Sequence, residues 1–300
     1  MQGVQSKMKV ILSRKGFDSS AGGIASPILP DGTLLSLPIP GESNMKYSEI
    51  CYKGKKYSDI IHELYLSNCF DNNSGLRKKL GDRAQKLYDY KENSCHLDPD
   101  IRDGVRLNTP ADWKPAFGQT DNAQGQLRNA GVEPRDIFLF SGWFRGVDEN
   151  YNYIKFSRKN VSNEFYRYAD LQVIYGYMQI GKIITDPDEI KKFYWHPHSE
   201  GNYGKNNTLY IPSKRLIING KDCGPGYGTL DFAEKRVLTK KGFSRANWDV
   251  KDFLMPDKVY GNKKNSSRKP GETIYYAGQW QELIIYESPG LIEWVKDIIT

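Results

Sequence analysis

Residues 134–146 read PRDIFLFSGWFRG, and residues 171–186 read LQVIYGYMQIGKIITD. Both runs are rich in branched and aromatic side chains, which suit the pleated surface of a β-strand better than a helix. A turn at Pro134–Asp136 precedes the first run, and Gly176 and Gly181 interrupt the second where a strand can bend. The two runs therefore predict a pair of buried strands at the centre of the fold.

The order of these features resembles that of the PUA, ASCH and EVE domains, which are small β-barrels that read RNA or modified bases. The resemblance rests on the turn, the apolar strand, the polar loop and a return strand that ends in QIGKI at residues 179–183. It implies an α+β fold with a central PUA-like β-barrel at roughly residues 134–218. An N-terminal hairpin turned by Pro30-Asp31-Gly32 and peripheral helices would pack onto it, so we expect residues 1–300 to form a single compact domain.

Local patterns predict the other elements. They are a strand at residues 9–13, a helix that starts near Ser58, a helix at residues 121–130 that Gly131 stops, and a last helix that starts at Ser288. Residues 257–270 hold five basic side chains among Asn and Ser. This segment is expected to form a basic loop that contacts a nucleic-acid backbone.

Composition places the chain among folded proteins. Of its 300 residues, 38% are hydrophobic and 13% are aromatic, which is enough for a sizeable core. The formal net charge of +7 favours anionic partners without making the chain a polycation. No apolar run is long enough for a membrane span or a signal peptide, so we expect a cytoplasmic protein without a membrane partner. The four cysteines lack paired spacing, which argues against a zinc ribbon or a disulfide framework.

A polar segment follows the first strand. Arg14, Lys15, Asp18 and Ser19 fall within six residues, beside small residues that let the backbone approach an anion. The two cations could neutralise a phosphate, Ser19 could donate a hydrogen bond, and Asp18 could act as a base or bind a ribose. The alternative is a tight connection in which Asp18 and Ser19 cap their own backbone.

Two short segments that contain histidine could take part in chemistry. His96, Asp98 and Asp100 alternate, so on an extended segment they would lie on one side and could hold a divalent metal. The start of a helix explains them as well, so we predict no metal site but keep His96 and Asp98 as candidate acid/base or substrate contacts. His196 and His198 could also bind a metal, but no third ligand is evident from spacing, which favours a surface loop.

Side chains suited to reading a base lie on and near the central strands. Trp143 and Arg145 would point to one side, with an indole to stack on a base and a guanidinium for its phosphate or edge. The alternative is a core tryptophan and a surface arginine. Glutamine amides can read a base edge through paired donor and acceptor contacts, and Gln119, Gln179 and Gln281 are candidates.

Several segments, taken together and in this order, resemble the third of the nucleotide modification associated domain families. They are SRKGFDS at residues 13–19 with Gly22-Gly23, HLDPD at 96–100, FGQ at 117–119, FLFSGWFR at 138–145, YGYMQIG at 175–181, NTLY at 207–210 and Gln281-Glu282. Such families are associated with base-modification and phage-conflict systems. The resemblance supplies no settled reaction, so whether the chain is an enzyme stays open and its cofactor stays unknown.

Three functional hypotheses follow. The first is recognition or processing of a nucleotide, or of a modified base in DNA, in a base-modification or phage-defence system. The second is an NAD- or sugar-nucleotide-dependent transferase with Arg14 on the diphosphate, and the third is a non-enzymatic defence component that binds proteins. The candidate catalytic residues are Asp18, His96, Asp98 and Glu282, and the candidate substrate-binding residues are Arg14, Lys15, Ser19, Gln119, Trp143, Arg145, Gln179 and Gln281.

Overall fold

The computed structural model describes residues 7–41, 43–69, 93–155, 165–200, 203–204, 206–255, 257–260, 272–276 and 281–300. Most of the expected basic loop, residues 261–270, lies outside these ranges. Within them, no helix combines the length and the apolar character that crossing a membrane requires.

The strands of the described residues are mostly short. They are β1 (Lys9–Arg14), β2 (Ser26–Ile28), β3 (Ile39–Pro40), β4 (Cys51–Tyr52), β5 (Lys55–Lys56), β6 (Cys95–His96), β7 (Phe117–Gln119), β8 (Ile137–Gly146), β9 (Leu171–Ile184), β10 (Thr208–Pro212), β11 (Arg215–Ile218), β12 (Lys221–Pro225), β13 (Tyr227–Thr229), β14 (Asn247–Trp248), β15 (Val259–Tyr260), β16 (Ile274–Tyr275) and β17 (Glu282–Tyr286). The α-helices are α1 (Tyr57–Cys69), α2 (Asp121–Asn129), α3 (Phe165–Tyr168), α4 (Pro187–Ile190) and α5 (Pro289–Ile299). The helices predicted near Ser58, at residues 121–130 and from Ser288 are confirmed as α1, α2 and α5.

Nine strands form one mixed sheet in the described part of the chain. Its path runs β15-β17-β1-β8-β9-β10-β7, while β2 also pairs with β8 and β13 with β9. β1 and β2 run parallel to β8, and β8 runs antiparallel to β9. The two apolar runs therefore lie at the centre of the sheet, as predicted.

Both glycines of the second run lie at irregularities in β9. The register with β8 shifts where Phe140 pairs with Gly176 but the next residue pairs with Ile174. The register with β10 shifts across Gly181, where a Cβ would lie 2.7 Å from the backbone nitrogen of Ser213. Both glycines thus lie at register shifts of this strand, and a side chain at either one would collide with a neighbouring segment.

The apolar core lies on both faces of the sheet. Successive side chains of β1 point to opposite faces, so this strand contributes to both layers. Val10 and Leu12 pack in a layer that includes Leu291 and Val295 of α5. Ile11 packs on the opposite side with aromatic residues of β7, β8 and β10. A further buried cluster joins the N-terminal hairpin to α1.

The predicted PUA-like barrel is not confirmed. The sheet curls, since Phe117 of β7 lies 4.8 Å from Phe138 of β8 between ring centroids. Gln119 Nε2 also donates to Glu282 Oε1 at 2.6 Å, which links β7 to β17 through side chains. No backbone pairing among the described strands closes the path into a ring. The sheet also extends beyond residues 134–218, because β1 and β17 belong to it.

Candidate functional site

A cavity of about 510 Å³ lies where the end of β1, the segment after β6 and the start of α2 meet. This volume is within the range of sites for small molecules. Its walls bring together seven of the candidate catalytic and substrate-binding residues, and these come from four separate segments. They are Arg14, Lys15, Asp18, His96, Asp98, Gln119 and Gln281.

The loop after β1 is held by its own hydrogen bonds. The Asp18 N–H donates to Ala21 O, and Asp18 Oδ1 accepts from the N–H groups of Ser20 and Ala21, each at 2.7 Å. Burial raises the pKa of Asp18, but these hydrogen bonds outweigh it, so the net pKa lies below the usual range. Asp18 thus makes the turn-capping contacts that the sequence offered as the alternative, while Arg14 and Lys15 line the cavity.

A fully buried carboxylate lies behind Lys15. Glu282 Oε1 accepts from Ser13 Oγ at 3.0 Å and from Gln119 Nε2, and it lies 3.4 Å from Lys15 Nζ. Burial raises the pKa of Glu282, and the Lys15 charge and the two hydrogen bonds oppose that rise. Glu282 contacts two residues of the cavity wall, so its predicted catalytic role stays a prediction.

Three histidines from two distant segments surround Asp98. Asp98 Oδ1 accepts from the Gly118 N–H at 2.8 Å and lies 3.3 Å from His196 Nε2. Asp98 Oδ2 lies 3.9 Å from His96 Nε2 and 4.0 Å from His198 Nε2. We call His96, Asp98 and His198 the His–Asp–His cluster; its three potential ligand atoms lie within 4.8 Å of one another.

The imidazole of His198 is fixed from two sides. Its Nδ1 lies 2.7 Å from Asn207 Oδ1, while Asn207 Nδ2 donates to His198 O at 2.9 Å. Because the amide oxygen only accepts, Nδ1 carries the proton and Nε2 offers a lone pair on the side of Asp98. The ring also stacks on Tyr203 with centroids 4.4 Å apart and an interplanar angle of 7°.

Burial sets the charge state of the cluster. It lowers the pKa of His96 to about 4 and that of His198 to about 3, against the opposing charge of Asp98. Burial alone would raise the pKa of Asp98, but the His196 imidazole 3.3 Å away, followed by His198 and Lys15, holds this pKa well below the usual range. At neutral pH the cluster therefore presents two neutral imidazoles and one carboxylate.

The alternating residues His96, Asp98 and Asp100 lie in two different environments. Asp100 Oδ2 lies 2.9 Å from Arg106 Nη1 and accepts from Trp113 Nε1 at 2.8 Å, so it belongs to a structural network. His96 and Asp98 line the cavity instead.

Gly118 allows the cluster to assemble. A Cβ at this position would lie 2.2 Å from His198 Cδ2, far inside van der Waals contact. Only glycine leaves room for the imidazole, while the N–H of the same residue orients Asp98.

The first turn of α2 completes the cavity wall. Thr120 precedes this nine-residue helix, and Asp121, Asn122 and Gln126 line the cavity with it. The Thr120 side chain makes no capping hydrogen bond to the helix. The start of a helix carries a partial positive charge, which favours an anion beside it.

Four other predicted substrate residues are not part of the described cavity wall. Trp143 Nε1 donates to Asp170 Oδ1 at 2.9 Å, and Arg145 Nη2 donates to Ile154 O at 3.3 Å. Gln179 is buried and bonds to the backbone of Ile217. Ser19 is exposed on the surface of the loop.

Sequence reasoning missed the part that His196, His198 and Tyr203 take in the site. His196 and His198 were interpreted as a surface loop, but both are buried, at 0% and 3% exposure. The carboxylate of Asp98, about a hundred residues earlier in the chain, lies 3.3 Å from His196 Nε2 and 4.0 Å from His198 Nε2. The available signal was that three of the four histidines occur in two short alternating motifs, His96-x-Asp98 and His196-x-His198.

Comparison with known proteins agrees with the resemblance seen in the sequence. The chain matches no curated protein and no solved structure. The model of the family described as nucleotide modification associated domain 3 matches residues 9–285, a span that contains every residue of the cavity wall. The chain therefore belongs to the nucleotide modification associated domain 3 family.

Proposed function

We propose that the chain binds a nucleotide in the cavity and modifies it there, either as a free nucleotide or as a single unstacked nucleotide of DNA. One observation carries the proposal: two cations, a helix start, amide side chains and the His–Asp–His cluster converge on one cavity. Family membership ties the chain to nucleotide modification.

The phosphate would bind at the end of the cavity formed by β1 and α2. Burial lowers the pKa of Arg14, and the charge of Asp18 opposes this. A guanidinium stays charged in proteins, so Arg14 supplies a permanent positive charge to the cavity wall. Lys15 lies between the carboxylate of Glu282 and the ring of Phe117, with Nζ 4.5 Å from the ring centroid. These contacts orient the ammonium, and the first turn of α2 adds positive potential.

The base would contact amide side chains of the cavity wall. Asn122, Gln126 and Gln281 line the cavity. An amide can donate and accept at once, which matches the paired groups on a base edge. Gln119 has a different role, since its amide hydrogen-bonds to Glu282 and to the N–H of Thr120.

Proton transfer would involve the His–Asp–His cluster. His96 is the most exposed of its members, with 16% of its side chain accessible against 3% for each of the other two. A neutral imidazole that faces the cavity can accept a proton from a bound substrate. The cavity volume suits one nucleotide rather than a duplex, so a base in DNA would have to leave the stack to react.

A thermal-shift panel tests the proposal. Mononucleotides, deoxynucleotides, NAD, sugar nucleotides and short single-stranded DNA would each be added to the full chain. A ligand at 100 times its dissociation constant stabilises by about 2.7 kcal/mol. We expect nucleotides to raise the melting temperature of the wild type. Arg14→Ala should reduce this shift, since losing a hydrogen bond to a charged group costs about 1.5–3 kcal/mol of binding free energy.

Arg145→Ala is the matched comparison, because it removes an arginine at the end of β8 that is not part of the described cavity wall. Its ligand-induced shift should equal that of the wild type. No shift with any nucleotide in a folded sample, or equal losses in the two arginine variants, would refute the cavity as the nucleotide site.

A further inference from the structure

The His–Asp–His cluster has the composition of a metal centre. Two imidazole nitrogens and one carboxylate oxygen are donors that zinc and the neighbouring first-row divalent ions accept, often with further positions open to water or substrate. All three residues line the cavity, so a bound ion would be accessible to a ligand there.

The distances between the donor atoms suit one shared ion. Asp98 Oδ2 lies 3.9 Å from His96 Nε2 and 4.0 Å from His198 Nε2, and the three ligand atoms lie within 4.8 Å of one another. Ligand bonds of about 2.0–2.2 Å at tetrahedral angles place donor atoms roughly 3.3–3.6 Å apart. Small side-chain rotations would therefore bring all three donors onto one ion.

Hydrogen bonding among the three residues does not explain their arrangement. The two nitrogen–oxygen separations exceed the 3.2 Å or so of a normal hydrogen bond. Asn207 holds the proton of His198 on Nδ1, so His198 Nε2 and Asp98 Oδ2 are both acceptors on the same side. Facing acceptors repel each other unless a cation or a donor lies between them.

The surrounding residues orient the donors as outer-shell partners do in metal sites. Asn207 fixes the tautomer of His198, and the Gly118 N–H and His196 hold the opposite oxygen of Asp98. Partners of this kind set ligand orientation and tune metal affinity. The arrangement leaves Oδ2, the oxygen nearer His96 and His198, for an ion.

A cation would also offset the negative charge that Asp98 contributes to the cavity wall. The described wall holds two basic side chains, Arg14 and Lys15, and three acidic ones, Asp18, Asp98 and Asp121. A phosphate that approached the cluster would meet the Asp98 carboxylate. A divalent ion on Asp98 would turn that repulsion into attraction.

We propose that His96, Asp98 and His198 bind one divalent first-row transition-metal ion, such as Zn²⁺, Mn²⁺, Fe²⁺ or Co²⁺, with its open positions toward the cavity. This site goes beyond the proposed nucleotide binding and does not depend on it. With an ion bound, His96 would be a ligand, and a metal-activated water would accept the proton in place of its imidazole. An ion placed there could polarise a phosphoryl or carbonyl oxygen or activate a water.

A cobalt titration tests the site without any nucleotide. The full chain, prepared without a histidine tag and stripped with a chelator, would be titrated with Co²⁺ while its visible absorption is followed, and Zn²⁺ would then be added in competition. We expect a single Co²⁺ per chain, displaced by Zn²⁺. Loss of an outer-shell partner weakens binding about 10- to 100-fold, and His96→Asn or His198→Asn should weaken it by at least as much.

His62→Asn is the matched control, because His62 is the one histidine of the sequence outside the two motifs and lies on α1. It should bind Co²⁺ as the wild type does. X-ray absorption of the Co²⁺-loaded wild type reports the coordination shell directly, so the site can be tested even if a variant fails to fold. A shell with two imidazoles supports the site. Failure of the folded chain to bind Co²⁺, an oxygen-only shell, or equal binding by the His62, His96 and His198 variants would overturn it.

Discussion

The cavity and the end of β8 both offer basic and aromatic side chains, but they differ in what those side chains contact. At the end of β8, the Trp143 indole bonds to Asp170 and the Arg245 guanidinium lies 4.3 Å above its ring. In the cavity, imidazole and carboxylate atoms lie around a common space at separations longer than hydrogen bonds. Residue type alone suggested both regions, whereas convergence of several candidate side chains on one cavity distinguishes the region that we propose as the ligand site.

The largest effect should come from filling the space beside His198. Gly118→Ala places a Cβ that the imidazole has to avoid, so we expect a loss of about 1–3 kcal/mol in unfolding free energy. Ligand-induced thermal shifts should fall as well, because the cluster is displaced. Urea unfolding measures the first quantity and the thermal-shift panel the second.

Gly125→Ala is the control for this substitution, since it lies in α2 with open space around its Cβ position. Replacing a glycine inside a helix should stabilise by about 0.5–1 kcal/mol. Equal stability changes at the two glycines would contradict the close approach of Gly118 and His198.

The second effect concerns pH. Burial raises the pKa of Glu282, whose charged and titratable neighbours are Lys15 and Tyr210. A carboxyl group with a raised folded-state pKa stabilises fully below its unfolded value of about 4.3 and loses that contribution as pH rises through the folded value. Each unit of difference corresponds to about 1.4 kcal/mol.

Glu282→Gln should remove this dependence. The difference in unfolding free energy between wild type and variant, measured in urea from pH 4 upward, should change in favour of the variant as pH rises. A difference that stays constant with pH would show that Glu282 titrates as it does in the unfolded chain. The wild-type curve alone is insufficient, because the lowered pKa of Asp98 gives the opposite slope at low pH.

The smallest effect on binding should come from the end of β8. Stacking of a base on an aromatic side chain contributes about 1–3 kcal/mol, so Trp143→Leu would clearly reduce nucleotide shifts if the indole were the platform. We expect the ligand-induced shift to stay at the wild-type value, with some loss of stability from the broken contacts. A reduced shift in a folded variant would restore Trp143 as a base-binding residue.

Local patterns predicted the elements that rely on near neighbours in the chain. The short apolar run of β1, the longer runs of β8 and β9, and the capped start of α5 at Ser288 each carry their signal within a short stretch of sequence. Gly176 and Gly181 marked the irregularities of β9 because glycine is required where another backbone approaches. The predicted barrel is not confirmed. Closure of a barrel depends on which strands pair, and local patterns do not show that pairing.

By itself, the sequence determined the central strand pair, the main helices, the family and seven residues of the cavity wall. These follow from side-chain periodicity and from motifs read in order. Only the tertiary structure decided that His198 meets His96 and Asp98, and that Trp143 does not join them. The physical reason is that contacts between residues a hundred positions apart depend on the packing of the intervening chain, and periodicity carries no record of that packing.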